Sequence, residues 1–131
     1  MSIAFQSDRE GNQEIYVMDA YGSNQVNRTN TPDNEFSPVW SRDGLGIAFW
    51  SDRDGNQEIF VMDSDPVDPV HFTFKVTLGI DAAWSPDGSR IAFMSDRAGN
   101  NDIYVVHADS SNLAKLTDTG SDEQPAWALV R

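Results

Sequence analysis

Acidic side chains that alternate with other polar residues are the first candidates for a functional site, because their oxygens could bind a metal ion. Residues 52–58 read Asp-Arg-Asp-Gly-Asn-Gln-Glu, which places oxygen ligands at alternate positions around a glycine, as calcium loops do. The segment lacks the twelve-residue spacing of an EF-hand, and Ala98 stands where its third copy would need a ligand. A hairpin turn is the better interpretation, and we predict neither a metal nor a cofactor.

The sequence offers little support for catalysis. Histidine occurs only at His71 and His107, which fall at unrelated positions of the repeat described below, and cysteine is absent. The sequence contains no Gly-x-Ser-x-Gly elbow of the kind that serine hydrolases use. Carboxylates are so abundant that a close pair is expected by coincidence. We therefore predict no catalytic residues and interpret the chain as a non-enzyme.

The overall charge narrows the choice of partners. The 21 acidic and 9 basic side chains give a net charge of −12, which repels nucleic-acid phosphates and anionic lipid and favours a basic protein or peptide. The longest apolar runs, such as residues 15–18, are far too short to span a bilayer. Residues 1–5 enter an apolar pattern without the features of a secretory leader, so we expect that any export signal was removed or never present. The absence of cysteine leaves cytoplasm and periplasm both open.

One repeat organises the whole chain. Ile-Ala-Phe begins at Ile3, Ile47 and Ile91, so both spacings are 44 residues (47 − 3 and 91 − 47). Each copy continues through Ser-Asp-Arg and Gly-Asn into a second apolar run. Tryptophans follow with the same spacing to within one residue, at Trp40, Trp84 and Trp127. A fixed period of this size is typical of propellers and other repeat folds.

Each repeat carries the signals of strands. Ile-Ala-Phe and the second apolar run are short, β-branched and aromatic, and they flank a glycine turn suited to a hairpin. Residues 15–18 are apolar on both alternating faces, which predicts a strand packed between two sheets. A third strand ends at each tryptophan, and a weaker fourth is expected at residues 25–28, 70–75 and 113–116. The sequence therefore predicts an all-β propeller built from four-stranded antiparallel blades.

These motifs resemble the WD-like repeat of the TolB-type β-propeller family. Trp-Ser-Pro-Asp-Gly at residues 84–88 is followed by Ile-Ala-Phe, Ser-Asp-Arg, Gly-Asn and Ile-Tyr-Val, and the resemblance covers nearly the whole chain. It departs at residues 65–69, where Asp-Pro-Val-Asp-Pro replaces the polar turn kept at residues 21–24. The resemblance implies a binding role in Gram-negative envelope complexes and a periplasmic location.

The expected blade boundaries raise the question of how the ring closes. Blade 1 should comprise residues 1–35 completed by 124–131, blade 2 residues 36–78 and blade 3 residues 79–123. Three blades are fewer than the usual range of roughly four to eight, and an open arc would leave two apolar faces and a strand edge in water. We predict a six-bladed homodimer closed by strand exchange. The alternative is a fragment or an engineered, shortened half-propeller whose partner blades are missing.

Blade topology also defines a candidate binding face. The hairpin loops should open on the same side as the inter-blade loops, and about half of the acidic residues fall there. The candidate binding residues are Asp8, Glu10, Asn12, Asp33, Glu35, Asp52, Asp54, Asn56, Asp96, Asn100 and Asp122. The predicted blade-structural residues are Trp40, Trp84, Trp127, Arg9, Arg53 and Arg97. Alternatively the acids are only solvated turn residues, because the opposite face is acidic too.

Three functions remain open on this basis. The favoured hypothesis is a non-catalytic scaffold that binds a protein or peptide and assembles into a ring. One alternative is a propeller enzyme, or a small-molecule or metal-binding protein, with convergent histidine and carboxylate groups in the central channel. The other is a half-propeller with no selected ligand. Trp50, which replaces Gln6 and Met94 of the other repeats, is interpreted as a blade filler, with an aromatic contact surface as the alternative.

Overall fold

The chain folds into eleven short strands over the residues that the structure, a computed structural model, describes: 1–64, 72–77 and 79–130. The strands are β1 (Ser2–Ser7), β2 (Glu14–Asp19), β3 (Val26–Asn27), β4 (Glu35–Trp40), β5 (Gly46–Ser51), β6 (Glu58–Asp63), β7 (Phe72–Thr77), β8 (Ile80–Trp84), β9 (Arg90–Ser95), β10 (Asp102–His107) and β11 (Ala114–Lys115). The all-β class is therefore confirmed. The predicted departure at residues 65–69 lies outside the described residues.

The strands pair in chain order into three antiparallel sheets. Sheet 1 contains β1, β2 and β3; sheet 2 contains β4 to β7; sheet 3 contains β8 to β11. The last strand of each sheet overlaps the segment expected to form the fourth strand of its repeat. Each sheet thus contains the Ile-Ala-Phe strand, the second apolar strand and the weaker last strand of one copy of the repeat.

Glycine turns close the hairpins that open each repeat. The amide of Gly11 donates to the carbonyl of Asp8 at 2.9 Å, and Gly55 repeats this bond to Asp52. Gly11 has a φ of +119° and Gly55 a φ of +83°, and residues other than glycine rarely adopt such positive angles. The predicted hairpin turns are therefore present at these positions.

The core lies between adjacent sheets. One cluster, between sheets 1 and 2, contains Ile15, Ile47, Phe49, Phe60 and Met62. The other, between sheets 2 and 3, contains Ala48, Ile59, Val61, Ile91, Phe93, Tyr104 and Val106. Strand β6 supplies alternate residues to the two clusters, because successive side chains point to opposite faces. It is apolar on both faces and packs between two sheets. The same packing was predicted from residues 15–18 of β2, but sheet 1 has a neighbouring sheet on only one face within the described residues.

The first strands of sheets 2 and 3, β4 and β8, share a backbone irregularity. We call them the innermost strands, because the first strand of a propeller blade lies nearest the ring axis. The register of β4 against β5 shifts between Phe36 and Val39, and the register of β8 against β9 shifts between Ile80 and Ala83. A residue with positive φ lies in each shift, Ser37 at +53° in β4 and Asp81 at +54° in β8. Gln124, at the equivalent position after sheet 3, has a φ of +51°.

We expect Phe49→Ala to destabilise the protein by about 3–5 kcal/mol, since truncating a buried aromatic ring removes apolar burial and leaves a cavity. Urea unfolding at one fixed protein concentration measures the change. Leu45→Ala is the control: its side chain is exposed, and the variant should differ from the parent by less than about 0.5 kcal/mol. Equal losses in the two variants would contradict the assignment of the core.

Candidate binding face and channel

Backbone hydrogen bonds fix the inter-blade loops beside the hairpin loops. In each repeat an amide of the inter-blade loop donates to the carbonyl of the residue that precedes β2, β6 or β10. The three bonds run from Glu35 to Gln13 (2.8 Å), from Gly79 to Gln57 (3.0 Å) and from Asp122 to Asn101 (3.0 Å). We call this end of the sheets the loop face. It comprises the hairpin loops at residues 8–13, 52–57 and 96–101 and the inter-blade loops at residues 29–35 and 117–124.

A buried carboxylate anchors the inter-blade loop of sheet 1. Glu14, at the start of β2, accepts a hydrogen bond from the amide of Thr31 at 2.9 Å and another from the Thr29 hydroxyl. Asn12 donates its side-chain amide to Glu14 at 3.1 Å and to the Thr31 carbonyl at 2.9 Å. Asn12 is therefore tied into the fold, although it was predicted as a binding residue.

Sheet 3 repeats this anchor with different side chains. Asp102 begins β10 and accepts a hydrogen bond from the amide of Gly120 at 3.0 Å. Lys115 lies 2.9 Å from the other oxygen of Asp102 and 2.6 Å from Asp118. The hydrogen bond from Lys115, followed by that from Gly120, holds the pKa of Asp102 below its usual value. Neither anchor was singled out from the sequence, although acids recur at Glu14, Glu58 and Asp102 and threonines at Thr29 and Thr117.

Glu35 lies inside the protein rather than on the solvent-facing rim where it was expected. Its side chain is fully buried and accepts hydrogen bonds from Thr31 at 2.9 Å and Ser51 at 3.3 Å. The guanidinium of Arg53 lies 2.8 Å from the same carboxylate. Burial raises the pKa of Glu35 above its usual value, against the lowering effect of the Thr31 hydrogen bond. Glu35 thus joins the inter-blade loop to the next hairpin.

The acids that remain at the surface come mainly from the hairpin loops. The exposed candidate residues are Asp8, Glu10, Asp52, Asp54, Asn56, Asp96 and Asn100. Asp33 and Asp122 are half-buried. The backbone amide of Asn34, in the inter-blade loop, donates a hydrogen bond to the Asp52 carboxylate at 3.2 Å. This bond joins a loop-face carboxylate to the neighbouring loop. Five exposed carboxylates from three hairpins therefore share one end of the molecule.

The arginines of the Ser-Asp-Arg motifs lie against the blades. Each donates its Nε to the serine two residues before it, from Arg9 to Ser7 (3.0 Å), Arg53 to Ser51 (3.3 Å) and Arg97 to Ser95 (2.9 Å). Each guanidinium also lies over an aromatic ring, at 4.6 Å from Tyr16, 4.6 Å from Phe60 and 4.8 Å from Tyr104. These contacts are cation–π interactions that join the hairpin loop to the next strand. They give the arginines a structural role.

Trp84 and Trp127 make the same hydrogen bond, each to the innermost strand of the preceding repeat. The indole N–H of Trp84 donates to the Val39 carbonyl at 3.2 Å, and that of Trp127 donates to the Ala83 carbonyl at 3.0 Å. Beside them lies an open cleft of about 420 Å³ that includes Trp40 and Trp84 in its lining. Trp50 stacks on Phe36 with ring centroids 4.2 Å apart, so it packs within sheet 2.

The described residues also bear on metal binding, on the histidines and on membrane insertion. Among residues 1–64, 72–77 and 79–130, no group of three or more histidine, cysteine or acidic residues is arranged to hold a metal ion. His107 is exposed at the end of β10, and His71 lies outside the described residues. The part of the chain that the structure describes contains no helix long and apolar enough to cross a membrane.

Comparison with known proteins places this geometry in a family. The family model described as the TolB β-propeller domain matches residues 1–129. No curated protein matches the chain. Among solved structures, a putative TolB from Agrobacterium tumefaciens is 27% identical with a TM-score of 0.77, and the match covers 95% of this chain and 45% of that one.

More distant structures share the fold. TolB from Acinetobacter baumannii is 19% identical with a TM-score of 0.75, over 93% of this chain and 32% of that one. An oligogalacturonate lyase in complex with manganese is 16% identical with a TM-score of 0.62, over 82% of this chain and 30% of that one. The chain thus spans less than half the length of the TolB structures that it matches. Propellers similar to it include an enzyme.

We expect the stabilising effect of Asp102 to depend on pH. Its pKa in the folded protein is lower than the usual 3.8, so its contribution is present above that value and is lost as pH falls through the folded pKa. Asp102→Asn should therefore lower the free energy of unfolding near pH 6, and the difference from the parent should shrink as pH falls below 3.8. Chemical unfolding at each pH measures it.

The control for this experiment is Asp63→Asn. Asp63 is exposed at the other end of the sheets, and its substitution should change stability by less than about 0.5 kcal/mol. A loss in Asp102→Asn that stays constant down to pH 3 or below would contradict a charged role for the anchor.

Proposed function

The chain belongs to the TolB β-propeller domain family, and from this we propose that it is a non-catalytic propeller scaffold that binds a basic protein or peptide at its loop face. The observation that carries the proposal is the set of five exposed carboxylates presented by three hairpins at one end of the sheets. Glycine turns fix these hairpins, and backbone hydrogen bonds join them to the inter-blade loops. A rigid set of like charges attracts an oppositely charged segment with little loss of loop entropy.

Neighbouring charges support a cationic ligand. The arginines nearest the loop face, Arg9, Arg53 and Arg97, lie against aromatic rings of the blades. The carboxylates at the hairpin tips are the more exposed charges there. The net charge of −12 adds a long-range attraction for cations that is strongest at low salt.

We further propose that two copies of the chain close into a six-bladed ring. Three sheets packed face to face leave one face of sheet 1 and one face of sheet 3 without a neighbouring sheet within the described residues. Ile3 is 42% exposed, whereas its repeat equivalents Ile47 and Ile91 are fully buried between sheets. A closed ring of two chains would cover both open faces, because the two-fold axis brings each sheet 1 against a sheet 3.

The ring predicts a fixed mass in solution. Light scattering on a size-exclusion column should give twice the 14.6 kDa of the chain, unchanged over a wide dilution range. A monomer would contradict the ring, and so would masses that grow with concentration, because these indicate open chains of copies.

The loop face predicts where a cationic ligand binds. Asp8→Asn, Asp54→Asn and Asp96→Asn together should weaken the binding of a short oligolysine peptide by about tenfold, or about 1.4 kcal/mol, at low salt. Calorimetry or fluorescence anisotropy measures the affinity. The matched control carries the same change of charge at the opposite end of the sheets, Asp19→Asn, Asp63→Asn and Asp109→Asn.

The two triple variants separate a local site from the general field of the protein. We expect the control variant to bind within about twofold of the parent. An equal loss in both variants would show attraction to the net charge alone and would contradict a binding role for the loop face. Circular dichroism of both variants verifies that their strands are intact.

A further inference from the structure

The same apolar contact between neighbouring sheets is made twice inside the chain, between sheets 1 and 2 and between sheets 2 and 3. Sheet 1 and sheet 3 each have one further face that could make this contact but has no neighbouring sheet among the described residues. Where sheets 1 and 2 meet, Ile15 of sheet 1 packs against the aromatic face of sheet 2, which includes Phe49 and Phe60. Where sheets 2 and 3 meet, Ile59 packs in the same way against Phe93 and Tyr104. Sheet 1 has an equivalent aromatic face. Sheet 3 has the equivalent aliphatic face, and the described residues cover neither with another sheet.

An unpaired polar group marks the same gap. The indole N–H of Trp84 and that of Trp127 each donate to a carbonyl of the preceding innermost strand. The equivalent N–H of Trp40 is buried and has no acceptor among the described residues. An open cleft of about 380 Å³ adjoins it, lined by Met1, Ser2, Trp40, Arg42 and Gly44. A buried donor without a partner costs about 1–3 kcal/mol, so this position favours an incoming carbonyl.

The chain itself contains a segment of the required shape. Residues 122–127 follow sheet 3 and have the features of β4 and β8: a positive φ at Gln124, the amide bond from Asp122 to the Asn101 carbonyl, and a tryptophan that bonds to the preceding innermost strand. This segment pairs with no strand of the described residues; the nearest pairing is an isolated bridge between Ser121, just before the segment, and Asn101. Sheet 1, in contrast, has three strands, and the edge of β1 that faces away from β2 is paired with no strand of the described residues.

The segment is held away from sheet 1 of its own chain. Trp127 bonds to Ala83 in sheet 3 and lies under the guanidinium of Arg90, 5.3 Å from the ring centroid. Sheet 2 packs between sheets 1 and 3. A ring of three blades would be smaller than the usual range of roughly four to eight, so closure within one chain is disfavoured.

We propose that residues 122–127 of a second copy add to β1 as its missing innermost strand, in one defined register. The inference rests on the proposed ring and specifies its interface. In sheet 2 Val39 lies opposite Ala48, and in sheet 3 Ala83 lies opposite Ala92. Moving this register by one repeat sets Ala126 of the partner subunit opposite Ala4. The carbonyl of Ala126 of the partner subunit then accepts the hydrogen bond from Trp40.

The same register forms an ion pair between the copies. Arg53 bonds to Glu35 at 2.8 Å across the boundary between the hairpin and the innermost strand of sheet 2. Arg9 is the equivalent of Arg53, and Asp122 is the equivalent of Glu35, because their amides make the same backbone bond. Arg9 of one copy therefore faces Asp122 of the partner subunit.

Cysteine pairing tests the register directly, because the parent chain has no cysteine. The double variant Ala4→Cys, Ala126→Cys should form disulfide-linked dimers under mild oxidation. The intrachain pair Ala83→Cys, Ala92→Cys is the positive reference, since it occupies the equivalent register position in sheet 3. The pair Ala4→Cys, Ala83→Cys is the negative control and should give no specific dimer. Non-reducing electrophoresis and intact mass measure the products.

The outcomes separate this inference from the ring on which it rests. A monomeric mass for the unmodified chain overturns both. A dimeric mass with no link between positions 4 and 126, while the reference pair oxidises fully, overturns the register and leaves the ring. Efficient linkage to a dimer supports both.

Charge reversal provides a second measurement if the reference pair oxidises poorly. Arg9→Glu and Asp122→Arg should each raise the dimer dissociation constant by about five- to tenfold. The double variant should return to within about threefold of the parent, since it restores opposite charges across the interface. Additive losses in the double variant would overturn the proposed pairing. Circular dichroism of each variant checks that it folds.

Discussion

Face-to-face packing of apolar sheets is the constraint on which the rest of this structure depends. Each sheet is too thin to bury its side chains alone, so both of its faces need a neighbour. Only sheet 2 has a described neighbour on each side, and five of the six residues in each of β5 and β6 are buried. The same repeat position is exposed in sheet 1, as the comparison of Ile3 with Ile47 shows. Position in the stack, and not residue type, sets the burial.

The polar network at the loop face is a consequence of that stacking. Packing brings the start of β2, β6 or β10 beside an inter-blade loop whose backbone amides would otherwise lose their hydrogen bonds to water. The carboxylates of Glu14 and Asp102 accept hydrogen bonds from these amides, and Glu35 links its loop to Arg53 of the next hairpin. The carboxylates at the hairpin tips, in contrast, lie in exposed residues. A rigid acidic surface therefore follows from how the blades are joined.

The repeat allowed much of the fold to be predicted, because equivalent residues adopt equivalent backbone conformations. The eleven strands and the hairpin glycines could be located from the recurring motifs. The strand expected at residues 124–131 is not formed within the described residues, since no partner strand pairs with it there. The burial of Glu35 could not be predicted, since its environment depends on Thr31, Ser51 and Arg53. Its equivalents in the other repeats are Gly79, which carries no charge, and Asp122, which is only half-buried. The unpaired indole of Trp40 could not be predicted either. Its sequence context matches that of Trp84, and only the position of its sheet in the stack distinguishes them.

Assembly and ligand binding draw on opposite physical terms in this protein. Two copies with a net charge of −12 each repel one another at long range, so a dimer depends on the apolar faces, the backbone bonds of the added strand and the few ion pairs at its edge. Salt screens that repulsion and leaves apolar burial largely intact. A cationic ligand at the loop face depends on the same negative field, which salt weakens. Added salt should thus favour the proposed ring while it weakens binding of the proposed ligand. In this proposal the acidic composition serves recognition only if the apolar sheet faces outweigh the repulsion between the two copies.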